Sequence, residues 1–127
     1  MNGKTTLDPQ FTKMISVAKE TVSNNSLNKD RFCQCIVLQS SGEKEKAYYF
    51  SCGSVDELAD KTCSALEELR LPVQRIVCMW ENGAIEVPSG RFLKALCSAD
   101  PENKKATVLL NAGPNAFSTK TVEEIIG

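Results

Sequence analysis

The stretch Pro88-Ser89-Gly90-Arg91-Phe92-Leu93-Lys94-Ala95-Leu96, "PSGRFLKAL", decides how the second half of this chain is read. A proline, a serine and then apolar residues at helical spacing (Phe92, Leu93, Leu96 and Cys97) describe the start of an amphipathic helix. Ser89 is placed to cap it, because a serine hydroxyl accepts one of the N–H groups that a first turn leaves without a carbonyl. Upstream, Ser54-Val55-Asp56-Glu57 opens a second helix in the same style, since S-x-x-E is the spacing of a capping box. Ser89 stands 32 positions after Glu57. Between the two helices lies "VQRIVCMW" (73–80), an apolar run bounded by Pro72 and by the turn signal Glu81-Asn82-Gly83, which reads as a strand. This layout lets both helix N-termini face each other across the carboxyl ends of the strands.

Working outward, Asp8 and Pro9 announce the first helix as N-cap and first helical residue. Phe11, Met14, Ile15, Ala18 and Val22 share one of its faces. A polar loop (23–30) leads to "RFCQCIVLQS" (31–40), which alternates and then becomes continuously apolar, as a buried strand does. "SGEKE" (41–45) is a turn, and the aromatic-rich "KAYYFSC" (46–52) is the second strand of an antiparallel hairpin. The helix beginning at Ser54 carries Val55, Leu58, Ala59, Thr62, Leu66 and Leu69 as its apolar stripe and stops before Pro72. Ala84–Val87 extends briefly after the turn, Asp100-Pro101 closes the third helix, and "ATVLL" (106–110) is a fourth strand. Beyond Gly113-Pro114, Thr121 and Glu124 have capping-box spacing for a short last helix. The order α-β-β-α-β-α-β-α predicts an α/β protein. Its expected form is three-layer α/β/α, with a mixed sheet in which an antiparallel N-terminal hairpin precedes parallel strand-helix-strand units.

Length and composition set the outer bounds. The 127 residues, 42% apolar, suit one compact domain spanning 1–127, with residues 1–8 expected to be disordered. Fifteen basic residues against sixteen acidic ones give a net charge of −1, so no basic field points to nucleic acid or to an anionic membrane. No apolar run approaches the ~20 residues of a membrane span, and "MNGKTTLDPQF" lacks the apolar core of a signal peptide. An intracellular, cytoplasmic protein is the expectation. Six cysteines without a C-x-x-C pair then read as reduced thiols, and the chain has no histidine. The commonest general base and metal ligand is therefore missing.

With those motifs in place, the chain resembles the cytidine deaminase-like superfamily over about residues 10–126. Members start with a helix and a β-hairpin. Their second helix opens on His-Ala-Glu or Cys-Ala-Glu, which falls here on Val55-Asp56-Glu57, and their third on Pro-Cys-x-x-Cys, which falls on Pro88-Ser89-Gly90-Arg91-Phe92. The interval of 32 is close to the family's, and Thr121-Val122-Glu123-Glu124-Ile125-Ile126 is similar to the closing helix of the free-nucleoside deaminases. In such enzymes one His or Cys and two Cys hold Zn²⁺, while a glutamate that is not a ligand shuttles protons.

This chain departs from that pattern where the chemistry lies. The three ligand places hold Val55, Ser89 and Phe92. Valine and phenylalanine cannot ligate, and serine is a poor zinc ligand beside thiolate or imidazole. No metal and no cofactor is expected. Nor does Phe50-Ser51-Cys52-Gly53-Ser54 supply the amide or carboxylate pair that the resemblance implies for gripping a ribose.

What remains has two readings at each place. Glu57 is either a capping or exposed acid or a functional carboxylate retained at a helix mouth. Ser54, Ser89, Gly90 and Arg91 either cap and start their helices or form an anion site of hydroxyls, helix N–H groups and one guanidinium. Cys33, Cys35 and Cys52 read as core or as a thiol cluster. Trp80 and Tyr48-Tyr49 read as packing or as a stacking surface. The expectation is a non-catalytic deaminase-like domain that binds a small anionic or nucleotide-like ligand or a protein partner. The resemblance also implies a homodimer. The alternatives are a metal-free hydrolase with Glu57 as general base and a structural subunit of a complex.

Overall fold

The computed structural model describes residues 8–25, 32–70, 72–114 and 116–127. The expected disorder of residues 1–8 therefore falls outside the described residues except at Asp8. That residue caps the first helix, α1 (Pro9–Asn24), by accepting the N–H of Gln10. Then come strands β1 (Phe32–Ser40) and β2 (Lys46–Cys52), helix α2 (Val55–Thr62), strand β3 (Val73–Trp80), helix α3 (Gly90–Ala99), strands β4 (Thr107–Gly113) and β5 (Ala116–Thr121), and helix α4 (Val122–Ile126). Two 3-10 helices, Cys63–Glu68 and Pro101–Lys105, complete the path.

The strands form a five-stranded sheet in the order β2-β1-β3-β4-β5. β1 pairs antiparallel with β2 on one side and with β3 on the other, so β2 and β3 run in the same direction with β1 between them. β3 and β4, joined through α3, are parallel, and β4 and β5 form an antiparallel hairpin. The mixed α/β sheet expected from the sequence is thus present, with one strand more than the sequence predicts. Residues 116–121 lie in the stretch read as a connection to the last helix. Their only large apolar residue is Phe117, and 116–120 are exposed on both faces, so no period-2 pattern marks them.

The alternation of β1 and β3 builds two cores. Cys35, Val37, Val77 and Met79 face α1, where Phe11, Met14, Ala18 and Val22 meet them. Ile36, Leu38, Ile76 and Cys78 face the other way, onto Phe92, Leu93 and Leu96 of α3 and Val122 of α4. α2 lies on this second side beside α3 and β2. Both faces of the inner strands are therefore covered, which is why their sequences are continuously apolar. Two expectations need correction. Val55, placed in the buried stripe of α2, is 53% exposed, because the stripe begins one turn later at Leu58. The helix does not run on to Leu69 as α; past Thr62 it tightens into 3-10 geometry.

Buried Asn103 joins three elements. Its Oδ1 accepts the Val73 N–H at 2.7 Å, and its Nδ2 donates to the Leu96 carbonyl at 2.8 Å. The start of β3 depends on it for a backbone partner, while the Leu96 carbonyl at the end of α3 also accepts the Asp100 N–H at 3.3 Å. Asn103→Leu leaves the Val73 N–H unpaired, so a loss of about 1–3 kcal/mol is expected, the ordinary cost of one orphaned buried group. Urea unfolding of parent and variant measures it; a change below ~0.5 kcal/mol contradicts the bridging role.

Candidate functional site

The first turns of α2 and α3 are both serine-capped. Ser54 Oγ accepts the Glu57 N–H at 3.2 Å, and Ser89 Oγ accepts the Phe92 N–H at 3.1 Å. The two turns lie side by side, joined by Arg91. Its Nη1 donates to Asp60 Oδ1 at 2.7 Å and to the Asp56 carbonyl at 3.3 Å. The structure therefore engages Arg91 with α2 rather than leaving its guanidinium open between the two helix starts. It also supplies a partner, Asp60, that sequence reasoning missed. Asp60 carried no signal: it stands on the polar face of α2 among other acids.

Glu57 is exposed on the outer side of α2, and its backbone N–H rather than its carboxylate takes part in the cap. Gly90, the first residue of α3, is exposed, with open space where a Cβ would stand. Phe92 is 0% exposed and packs in the cluster that joins α3 to Ile36, Ile76 and Cys78. Val55 points outward. The three places that the resemblance gives to zinc ligands thus hold an outward-facing isopropyl group, a hydroxyl engaged by a helix N–H and a ring sealed in the core. They do not fit a zinc ion, which needs three protein ligands with lone pairs converging on one point.

The cysteines do not rebuild such a site elsewhere. Cys33, Cys35, Cys52 and Cys78 are buried, while Cys63 and Cys97 are half-buried. Among the described residues no three Cys, Asp or Glu side chains stand close enough to share an ion. Burial pushes the Cys35 thiol up to about 11, against modest opposing hydrogen bonds from Thr21 and the Tyr48 backbone. Cys78 is raised further still by burial, and Cys63 is raised by burial and by the nearby Asp60 carboxylate. At Cys63 the Arg91 guanidinium opposes the rise without reversing it, so none of the three is shifted toward the thiolate. Trp80 ends β3 with its indole N–H donated to Glu86, which occupies the ring's polar edge.

Two arms of a prediction follow from these environments. At pH 8 a thiol reagent modifies Cys63 and Cys97 in the native protein, while Cys35 and Cys78 react only after denaturation; native reaction of all six would contradict the burial. Because folding raises the Cys35 thiol above its ordinary 9.0, its contribution to stability is present below pH 9 and is lost as pH rises through about 11.

No family model matches the chain, and no curated protein matches it in sequence. Solved structures do. Cytidine deaminase from Mycobacterium leprae superimposes with a TM-score of 0.66 at 13% identity, over 91% of this chain and 96% of that one. A Glu-to-Asp mutant of cytidine deaminase from Mycobacterium tuberculosis gives 0.64 at 11% identity, over 91% and 90% of the two chains. The unmutated Mycobacterium tuberculosis enzyme gives 0.56 at 10%, over 91% and 92%. At such identities the likeness concerns architecture: the chain has a cytidine deaminase-like fold, without the ligand residues of the zinc motifs.

Proposed function

We propose that this is a non-catalytic deaminase-like domain that works by binding, with a protein partner as its principal ligand. The observation that carries the reading is the buried ring of Phe92 in the first turn of α3. Deaminase chemistry needs a polarised water held in a cavity by a metal. An apolar side chain packed into the core at a ligand place closes that route. Glu57 is exposed beside a serine cap, with its backbone N–H rather than its carboxylate engaged there.

The polar groups of the former site are largely committed internally. Both serine hydroxyls accept helix N–H groups, and Arg91 is paired with Asp60. An anion entering here has to compete with those bonds, which supports a protein partner over a phosphate or nucleotide as the main ligand. No helix among the described residues is long and apolar enough to cross a membrane. With the charge balance, this supports a role in the cytoplasm, away from nucleic acid and lipid.

Metal analysis with an activity assay tests the reading. Protein produced with zinc supplied should contain it far below one ion per chain and should not turn over cytidine or deoxycytidine. Near-stoichiometric zinc, or turnover abolished by Glu57→Gln, would overturn it. The anion alternative has its own check. Arg91→Ala should cost ~1 kcal/mol or less, the ordinary worth of an exposed pair, and should leave any weak binding of inorganic phosphate unchanged. A loss of phosphate affinity in that variant would move the ligand assignment to the anion.

A further inference from the structure

The end of the sheet away from the two helix starts holds a cavity of its own. Leu38 pairs with Lys46 and Ile76 at that end, whereas Gln34 pairs with Phe50 and Trp80 near the starts of α2 and α3. The cavity lies between the β1–β2 turn and the 3-10 helix Cys63–Glu68, with a volume of about 70 Å³. One buried water needs ~10–15 Å³, so the space admits about five water-sized groups.

Tyr48 of β2 lines this cavity. Among the described residues its hydroxyl is the only buried side-chain polar atom without a hydrogen-bond partner. Buried polar groups are ordinarily satisfied, so an exception beside a cavity points to an occupant. Burial and the Glu68 carboxylate both raise the phenol above its ordinary range, which keeps it an O–H donor at neutral pH. The group it lacks is an acceptor.

The charged lining narrows what that occupant is. Lys44, Lys46 and Arg70 face the same space as Glu43 and Glu68. Among the described residues none of the five takes part in an ion pair, although both signs are present. Arg70 Nη1 donates to the carbonyls of Glu67 and Leu69. A bare oxyanion here meets two carboxylates, and a bare cation meets three positive charges. A ligand that carries both signs finds a counter-charge for each.

We propose that this cavity binds a small zwitterion of the α-amino acid class. Its carboxylate accepts the Tyr48 O–H and faces the lysines and Arg70, while its ammonium group faces Glu68. Glycine, the smallest member, suits the volume. The site is separate from the helix starts at Ser54 and Ser89 and from the protein partner proposed above, so neither reading depends on the other.

Amide NMR titration with glycine tests this. Saturable shifts should centre on residues 46–48 and 68–70, with a dissociation constant on the order of 1 mM for so small a ligand. Acetate and methylammonium each carry one of the two charges and should bind about tenfold more weakly. Tyr48→Phe should weaken glycine at least about fivefold. Its melting temperature should equal or exceed the parent's, because the variant removes an unpaired buried hydroxyl, so lost binding is not lost folding. Glu68→Gln should weaken glycine and leave acetate as it was or tighter. Absence of saturable shifts at ~20 mM glycine, the result for a cavity that holds water alone, overturns the inference. Acetate or phosphate binding as tightly as glycine overturns it too, as does unchanged glycine affinity in Tyr48→Phe. None of these results alters the zinc content, which separately decides the non-catalytic reading.

Discussion

The burial of Phe92 is the contact on which the rest of this molecule turns. Phe92, Leu93 and Leu96 press α3 onto the face of β1 and β3 made by Ile36, Ile76 and Cys78. Removing a buried phenylalanine to alanine ordinarily costs ~3–5 kcal/mol, a large share of a domain's net stability of ~5–15 kcal/mol. In the fold that this chain shares, the resemblance places a metal where α2 and α3 begin. Here apolar packing under α3 and an exposed ion pair between Arg91 and Asp60 stand at the same two helix starts. The ion pair contributes little, since both side chains are substantially exposed. Packing thus links α3 to the sheet at a place where the resemblance would put a metal ligand.

That substitution has a consequence for the acid at the helix mouth. Glu57 keeps the position that the resemblance gives to a proton-shuttling glutamate, yet its surroundings are those of a first-turn surface acid. Negative charge near a helix N-terminus is favourable on electrostatic grounds alone. The Ser-x-x-Glu spacing is realised here as a hydrogen bond from the Glu57 N–H to Ser54 Oγ. The same physics recurs at the far end of the chain, where Thr121 and Glu124 form a reciprocal capping box and the Thr121 backbone N–H holds the Glu124 carboxyl below its ordinary range.

Much of the fold was legible because its signals are local. Asp8-Pro9, Ser54, Ser89 and Thr121 each mark a helix start by hydrogen-bond chemistry that needs no tertiary context, and the apolar runs of β1 and β3 follow from burial on both faces. What escaped depends on partners far along the chain. β5 has no buried face, so its pattern is silent, and its pairing with β4 is the only reason it is a strand. The fold-back of residues 84–86 onto β3 is likewise tertiary: Glu86 N–H donates to the Cys78 carbonyl, and Ile85 pairs with Met79. Asn103 reads as a polar residue after Asp100-Pro101, and nothing local announces that it is buried. At the candidate site the residues were legible but their engagements were not. The matched interval pairs the two helix starts, whereas the hydrogen bonds of Arg91 to Asp56 and Asp60 depend on the packed arrangement of α2 and α3.

The central claim is that a deaminase-like fold stands here on packing alone. Thermal unfolding of the protein with and without a strong zinc chelator tests it most directly, because a metal bound only by the native state raises the melting temperature by mass action. The account predicts the same melting temperature in both conditions. A fall of several degrees on chelation would contradict it.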